Sequence, residues 1–316
     1  MTTIACLGDI DLDLLVTVDR YPVRGEESFA KDALIGLGGS AVNTAVVLAR
    51  LGFRATMLAQ VGDDEFGSRA IEELGKAGVG TASVLRRPDE VTGMNVVVVD
   101  PEGERTMIGL RGANRSYAGS WAGEGEWLHV SAYALLEGEQ RSSALGILDE
   151  AKRRGVPVSV DVPSGVARVL GPALAPSLDG VTVLTVGRRS LDLISPNAGA
   201  EAVAAKCDLV AITDGSRAVE IFRRGDSLRV TPPSVPVEDT TGAGDSFIAG
   251  LIAAHVHRLD TTTAAVLATA LGAAAVQVRG AGRALETAPV AQVLAATERW
   301  PDAEPNWLDR ARNYVA

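Results

Sequence analysis

The string Glu238-Asp239-Thr240-Thr241-Gly242-Ala243-Gly244-Asp245-Ser246-Phe247, running on into Ile248-Ala249-Gly250-Leu251, says more about this chain than any other stretch. Gly242, Ala243 and Gly244 form a turn of small residues that opens an apolar helix. The first N–H groups of a helix lack intrahelical acceptors and lie at its positive dipole end, so they can converge on one anion. Asp245 falls in the first helical turn, within reach of a hydroxyl held beside that anion. An anion cradle next to a carboxylate is what phosphoryl transfer to an alcohol needs: the cradle stabilises charge on the transferred group, and the carboxylate accepts the hydroxyl proton. Taken alone, the same residues also fit a tight turn followed by an N-terminal helix charge.

Upstream of this string, apolar β runs alternate with helical patterns. Thr3 to Leu7 reads as a buried strand, Ser40 to Leu51 as a helix ended by Gly52, Ala55 to Val61 as a strand, and Gly67 to Ala77 as a helix stopped by Gly78. Strands follow at Glu126 to Val130, Pro157 to Asp161, Val181 to Thr185 and Leu209 to Thr213, with a helix through Arg154. The final third reads as helices over Asp245 to His255, Thr263 to Val278 and Pro289 to Ala296. Such alternation implies an α/β fold with a mostly parallel sheet covered on both faces. Leu14 to Val18 and the hairpin of Met94 to Val99 with Arg105 to Leu110 break the rhythm. A parallel sheet has no natural place for a hairpin, so these segments suit either a small β lid or an antiparallel edge of the main sheet. A lid would exclude water from phosphoryl transfer.

The totals set limits. With 316 residues the chain can bury a full core as one large domain or two ordinary ones, and 47% hydrophobic with 22% charged residues is ordinary for a globular protein. Thirty basic and forty acidic residues give a net charge of −10, which disfavours nucleic acid or an anionic membrane as partner. Cys6 and Cys207 are too few and too far apart for a disulfide framework or a zinc site. Structural thiols, an N-terminus that turns acidic by Asp9, and a longest apolar stretch of only Ala264 to Val276 lead to the expectation of a soluble, cytoplasmic protein.

The Asp239 to Phe247 string, leading into a small-residue helix, resembles the C-terminal signature of the ribokinase-like (PfkB) kinases. Gly36-Leu37-Gly38-Gly39-Ser40-Ala41-Val42-Asn43-Thr44-Ala45 is similar to that family's N-terminal signature. Gly8-Asp9-Ile10-Asp11-Leu12-Asp13, Gly62-Asp63-Asp64 with Phe66-Gly67, Asp100 to Arg105, and Thr213-Asp214-Gly215 fall in family order, so the resemblance spans roughly residues 4 to 283. It implies a single Rossmann-like α/β domain over 1–316 with a β lid formed near 12–35 and 94–112. It further implies ATP-dependent phosphorylation of a hydroxymethyl group on a small sugar or sugar acid. Asp245 would be the base and Gly242, Ala243 and Gly244 the anion hole. Asp11, Asp13, Gly38, Gly39 and Asn43 would bind the substrate, and Thr213, Gly215 and Thr241 would contact ATP. Mg²⁺ is expected with ATP, K⁺ has room near Asp239, Thr241 and the 279–282 loop, and exposed lid strands would invite a homodimer.

The chain departs from the family pattern at two places. Gly187 and Ser190 stand where Asn-x-x-Glu usually helps to organise Mg²⁺, so no metal ligand is named; Mg²⁺ can bind mainly through ATP oxygens and water. Ser40 replaces a frequent Lys, which argues against an already phosphorylated substrate, while Arg105 and Arg111 in the lid segment are either exposed hairpin charges or guanidinium groups offered to a carboxylated sugar. Other readings compete. Few aromatic residues announce a nucleobase platform, yet Phe29 or Met107 in the lid could pack on one, as in a nucleoside kinase. A non-catalytic sugar or nucleotide sensor would explain Gly187 and Ser190 but not an intact Asp245. A dinucleotide fingerprint at Gly36-x-Gly38-x-x-Ala41 fails because Glu26 to Asp32 is too charged for the buried strand it requires.

Overall fold

Thr3–Leu7 (β1) has four of its five residues buried, as an apolar run must be when helices cover both faces of a sheet. The computed structural model describes residues 1–101, 105–123, 125–197 and 199–278. After β1 come β2 (Asp11–Val18), β3 (Ala30–Gly38), α1 (Ser40–Arg50), β4 (Arg54–Gly62), α2 (Glu65–Lys76), β5 (Val84–Arg87), β6 (Gly93–Val99) and β7 (Arg105–Leu110). The middle of the chain gives β8 (Trp127–Ser131), α3 (Gly138–Arg153), β9 (Val158–Val162), α4 (Ser164–Leu170), α5 (Ala175–Leu178), β10 (Val183–Gly187), α6 (Arg188–Ile194) and α7 (Gly199–Ala204). The last described part holds β11 (Leu209–Thr213), β12 (Val219–Arg223), β13 (Asp226–Val230), α8 (Ala243–Val256) and α9 (Thr261–Ala275).

Nine strands make the main sheet among the described residues in the order β13-β12-β11-β10-β9-β8-β1-β4-β5, all running parallel except β12, which is antiparallel to both neighbours. One face packs against α1, α2, α8 and α9, the other against α3 to α7. Helix α8 is buried nearly all round, which explains why its sequence is apolar without a polar stripe. Gly250 is where α8 and α9 come closest: a Cβ there would lie 2.7 Å from the Cα of Ala268.

The segments that broke the α/β rhythm form a separate four-stranded sheet, β3-β2-β6-β7, rather than an edge of the main one. Its central pair, β2 and β6, is parallel, and both outer strands are antiparallel to their neighbours. The small sheet is made of Asp11–Val18, Ala30–Gly38, Gly93–Val99 and Arg105–Leu110, so its first segment runs somewhat beyond the expected 12–35. Glu26 to Asp32 is too charged for a buried strand, and its last residues begin β3, a strand of the small sheet that is exposed over most of its length. The antiparallel β12–β13 pair was not anticipated, and the expected helix over Pro289 to Ala296 lies outside the described residues. Among the described residues no helix is long and apolar enough to cross a membrane.

Gly250→Ala is expected to lower the thermal midpoint, since overpacking a close helix contact costs about 1–3 kcal/mol. Thermal unfolding followed by circular dichroism measures this, and an unchanged midpoint would contradict the tight α8–α9 contact.

Candidate active site

The carboxyl ends of β1, β8, β9 and β10 open toward the small sheet, which is where open α/β sheets hold their ligands. Three chain segments meet there: Asp9, Asp11 and Asp13 after β1, the start of α1, and the start of α8. Gly39 precedes α1 with φ at +106°, and a Cβ on it would lie 2.3 Å from the Asp9 carbonyl oxygen, so only glycine fits. Gly38 is pressed against the Asp13 carboxylate, where a Cβ would come within 2.2 Å.

At the α8 end, Gly242 is left-handed (φ 78°) and the helix opens at Ala243. The N–H groups of Gly244 and Asp245 therefore fall among those without an intrahelical acceptor. Asp245 is buried, and each of its carboxylate oxygens is held from α1. The Ser40 hydroxyl donates to Oδ1 at 2.7 Å, and Asn43 Nδ2 donates to Oδ2 at 2.7 Å. Each oxygen keeps a second lone pair for an incoming hydroxyl. Burial, then the nearby Asp161 charge, pushes the Asp245 carboxyl up to about 7, although Asn43 and Ser40 pull against that rise and Asp13 adds to it.

The other predicted substrate residues gather beside it. Asp11 Oδ1 accepts from Asn114 Nδ2 at 2.8 Å, and Asp13 Oδ1 accepts from Asn95 Nδ2 at 2.9 Å. Burial raises both carboxyls above the ordinary aspartate value; for Asp11 the charges of Asp9 and Asp13 add to it. Asn95 and Asn114 were missed in the sequence because neither belongs to a Gly-rich string. Asp161 and Thr185 were missed too. They sit side by side near the ends of β9 and β10, and the Thr185 hydroxyl donates to Asp161 Oδ1 at 2.6 Å. Burial pushes Asp161 up to about 6. An acidic residue at the carboxyl end of an apolar β run was the signal available in the sequence. Thr213 ends β11, with Gly215 in the turn beyond it at φ 58°.

Two arginines differ from expectation. Arg111 was read as free to meet a carboxylated ligand or as an exposed charge. It is instead largely buried, with Nε and Nη2 donating to both Asp9 oxygens at 3.0–3.1 Å and Nη2 also to the Tyr133 carbonyl. Gln140 Nε2 completes the set on Asp9 Oδ1 at 2.6 Å. Arg105, on β7, reaches Asp239 Oδ1 at 2.9 Å and also bonds the Thr240 and Thr241 hydroxyls. The atoms considered for K⁺, Asp239 and Thr241, thus meet a guanidinium, while the 279–282 loop lies outside the described residues.

No group of three His, Cys, Asp or Glu side chains is placed to hold a metal ion among the described residues. Gly187 closes β10, Ser190 is buried in α6, and Arg188 pairs with Glu220 at 2.5 Å. These residues do not make a protein-ligated Mg²⁺ site.

Free helix amides next to a buried, oriented carboxylate, at the open end of a parallel sheet and facing a second small sheet, define an α/β phosphotransferase with an alcohol as acceptor. The model of the pfkB family carbohydrate kinases matches residues 1–288, and the chain belongs to that family. A fructokinase from Vibrio alginolyticus is 31% identical over 79% of this chain and 88% of its own. An ATP-dependent ribose-1-phosphate kinase from Halopiger xanaduensis is 30% identical over 94% of this chain and 98% of its own. Among solved structures, a Burkholderia thailandensis nucleoside kinase in complex with inosine shares the fold with a TM-score of 0.79 at 21% identity, over 94% of this chain and 96% of that one. The chain is an ATP-dependent sugar or nucleoside kinase.

Proposed function

We propose that the chain phosphorylates a primary hydroxyl of a small uncharged sugar, with Asp245 as the base. The observation that carries this reading is the Asp245 carboxylate, buried beside the open amides of α8 and held by Ser40 and Asn43. The hydroxyl proton goes to Asp245, the substrate oxygen bonds the γ-phosphorus, and the bond to the bridging oxygen of ADP breaks. The amides of Gly242, Ala243 and Gly244 hold the charge of the transferred group, and Thr213, Gly215 and Thr241 contact the rest of ATP. Mg²⁺ bound with ATP would supply charge neutralisation at the phosphates, and the chain contributes no metal ligand in this reading.

Asp11, Asp13 and Asn43 receive the sugar hydroxyls, with Asn95 and Asn114 fixing the two carboxylates. The charge of the ligand follows from its surroundings. Asp11, Asp13 and Asp245 line the pocket, whereas Arg111 is engaged by Asp9 and Arg105 by Asp239. A sugar acid or sugar phosphate would meet three carboxylates, while both nearby guanidinium groups already pair with aspartates and leave a single buried nitrogen, Arg111 Nη1, without a hydrogen-bond partner, so a neutral polyol fits best. A nucleoside is the second reading. Leu15, Leu34, Val97 and Met107 share the sheet face that carries Asp13 and Asn95, and this apolar patch could pack against a base. K⁺ would have to share Asp239 with Arg105, so turnover in this reading does not depend on it. On the opposite face of the small sheet, Ile35, Ile108 and Leu110 are exposed at 44%, 65% and 54%, and a second copy of the chain covers them in a homodimer. Two free thiols, one of them buried, suit a cytoplasmic setting.

ADP release with Mg·ATP should be stimulated by a free sugar more than by sugar acids, sugar phosphates or nucleosides. Silence across such a panel with ATP bound would favour a sensor instead. Asp245→Asn should lower kcat at least ~100-fold with ATP affinity largely kept, and near-normal turnover would remove Asp245 from the mechanism. Wild-type kcat/KM should rise with pH as Asp245, at about 7, ionises and then level off. Ile108→Glu should turn a dimer into a monomer in light scattering; a wild-type monomer would refute the lid interface.

A further inference from the structure

Arg105 is the first residue of β7, an outer strand of the small sheet, and its side chain crosses to the loop before α8, 134 residues further on. Nη1 donates to Asp239 Oδ1 at 2.9 Å and to the Thr241 hydroxyl, and Nη2 donates to the Thr240 hydroxyl. The same Asp239 oxygen accepts the Thr241 N–H at 2.9 Å and the Thr241 hydroxyl at 2.7 Å. The loop is tied to the main domain just before this point, where the N–H groups of Glu238 and Asp239 both donate to the Val276 carbonyl after α9. Thr240 and Thr241 then lead straight into Gly242 and the start of α8, and they are the residues that the guanidinium grips.

The place of Arg105 along the small sheet gives these bonds their leverage. In the strand register, Asp11 lies beside Gly38 and Gly93, and Asp13 beside Gly36 and Asn95. Further out, Thr17 lies beside Asp32 and Val99, and Val99 beside Arg105. The row of Asp11 is fastened to the main domain through Asn114, which donates to Asp11 Oδ1 at 2.8 Å and accepts the Ile10 N–H at 3.0 Å. From Asp11 to Thr17 is about 20 Å of strand. Arg105 therefore fastens the outer end of the sheet, and Asp13 and Asn95 lie between the two fastenings. The Asp239 side chain is 6% exposed and that of Arg105 27%, so water screens the pair less than a surface ion pair, and the planar fork is held on three acceptors at once.

We propose that Arg105 is a positioning residue that latches the small sheet over the acceptor and, through the same bonds, fixes the turn whose amides receive the transferred phosphoryl group. The proposal rests on the reading that Asp245 and the α8 amides carry out the transfer. An acceptor held by Asp11 and Asp13 lies on the latched face, so its binding favours the closed sheet, and the closed sheet braces Thr240 and Thr241. The two reactants are thus coupled through one side chain. Without the latch the sheet opens and water competes with the acceptor. The water oxygen then bonds the γ-phosphorus, the bond to the bridging oxygen of ADP breaks, and phosphate and a proton leave with ADP.

The experiment compares the full-length wild type with Arg105→Gln, Asp239→Asn, the double variant and Asp245→Asn, using a sugar that stimulates ADP release. Hydrogen exchange read by mass spectrometry reports on the turn itself: the amides of residues 240–244 are expected to exchange at least ~10-fold faster in Arg105→Gln than in wild type. Turnover reports on the coupling: Arg105→Gln should lower kcat at least ~10-fold and release more ADP than it forms sugar phosphate, where the wild type releases them in equal amounts. Because Arg105 acts through the loop, the double variant should be no slower than the slower single variant. Unchanged exchange in the turn overturns the proposal, and so does a slow Arg105→Gln that still forms one sugar phosphate per ADP. Additive losses in the double variant would place Arg105 directly on a reactant and overturn it too. If Arg105→Gln does not unfold cooperatively, Arg105→Lys, which keeps the charge without the fork, carries the test, and wild-type exchange and product ratio there overturn the proposal. Wild-type turnover in Asp245→Asn defeats the transfer reading, whereas exchange, measured without substrate, decides the latch by itself.

Discussion

The start of α1 and the start of α8 meet through Ser40, Asn43 and Asp245, residues more than 200 positions apart, and the rest of the site is arranged around that meeting. A buried carboxylate is costly unless hydrogen bonds replace its water. Here both donors come from α1, and Thr44 adds a weaker contact from its hydroxyl to the Asp245 carbonyl at 3.4 Å. The bonds hold only if α1 and α8 lie side by side on one face of the sheet, which is why both helices are so thoroughly buried. Gly39 then lets α1 begin hard against the Asp9 carbonyl, and the same close approach brings Gly38 onto Asp13. Helix packing, carboxylate orientation and substrate contacts are one set of constraints.

Charge is sorted within this small volume. Asp9, Asp11, Asp13, Asp161, Asp239 and Asp245 all lie around it, and two of them are paired with arginines: Asp9 with Arg111, and Asp239 with Arg105. The dipole end of α8 is a positive feature that these pairs do not consume. An anion is thus favoured at the α8 amides and disfavoured among Asp11 and Asp13. In the proposed reaction that asymmetry would draw the phosphate end of one reactant to α8 and leave the hydroxyl-rich end of the other to the acids and amides of the small sheet. Neutral hydroxyls serve such acids well, because each donates a proton to an oxygen that burial has made reluctant to stay charged.

The sequence made the frame of this arrangement legible and left its pairings hidden. The Gly-Ala-Gly-Asp string located Asp245 at a helix start, and the Gly-Gly-Ser string located Asn43, because both depend on local turns that only small residues make. The parallel strands were readable as apolar runs. Strand β3 was not, since a lone sheet wet on one side can carry Lys31 and Asp32 at positions that a doubly covered strand cannot. The ion pairs of Arg105 and Arg111 join residues 134 and 102 apart, and no spacing rule reaches that far. Asp161 lies near the end of a strand that reads correctly, but its hydrogen bond to Thr185 of the neighbouring strand is set by the tertiary fold.

The small sheet shows why those long-range pairings belong together. Asp13 and Arg105 lie on the same face of it, linked through the β2–β6–β7 ladder: Asp13 sits opposite Asn95, and Thr17 opposite Val99, which pairs with Arg105. At one end the face carries Asp13 and Asn95, joined by a hydrogen bond. At the other it touches the loop before α8 through Arg105 and Asp239. A rigid ladder cannot place one end correctly and the other wrongly. The residues that would grip a substrate and the guanidinium that braces the loop before α8 are therefore set by one register.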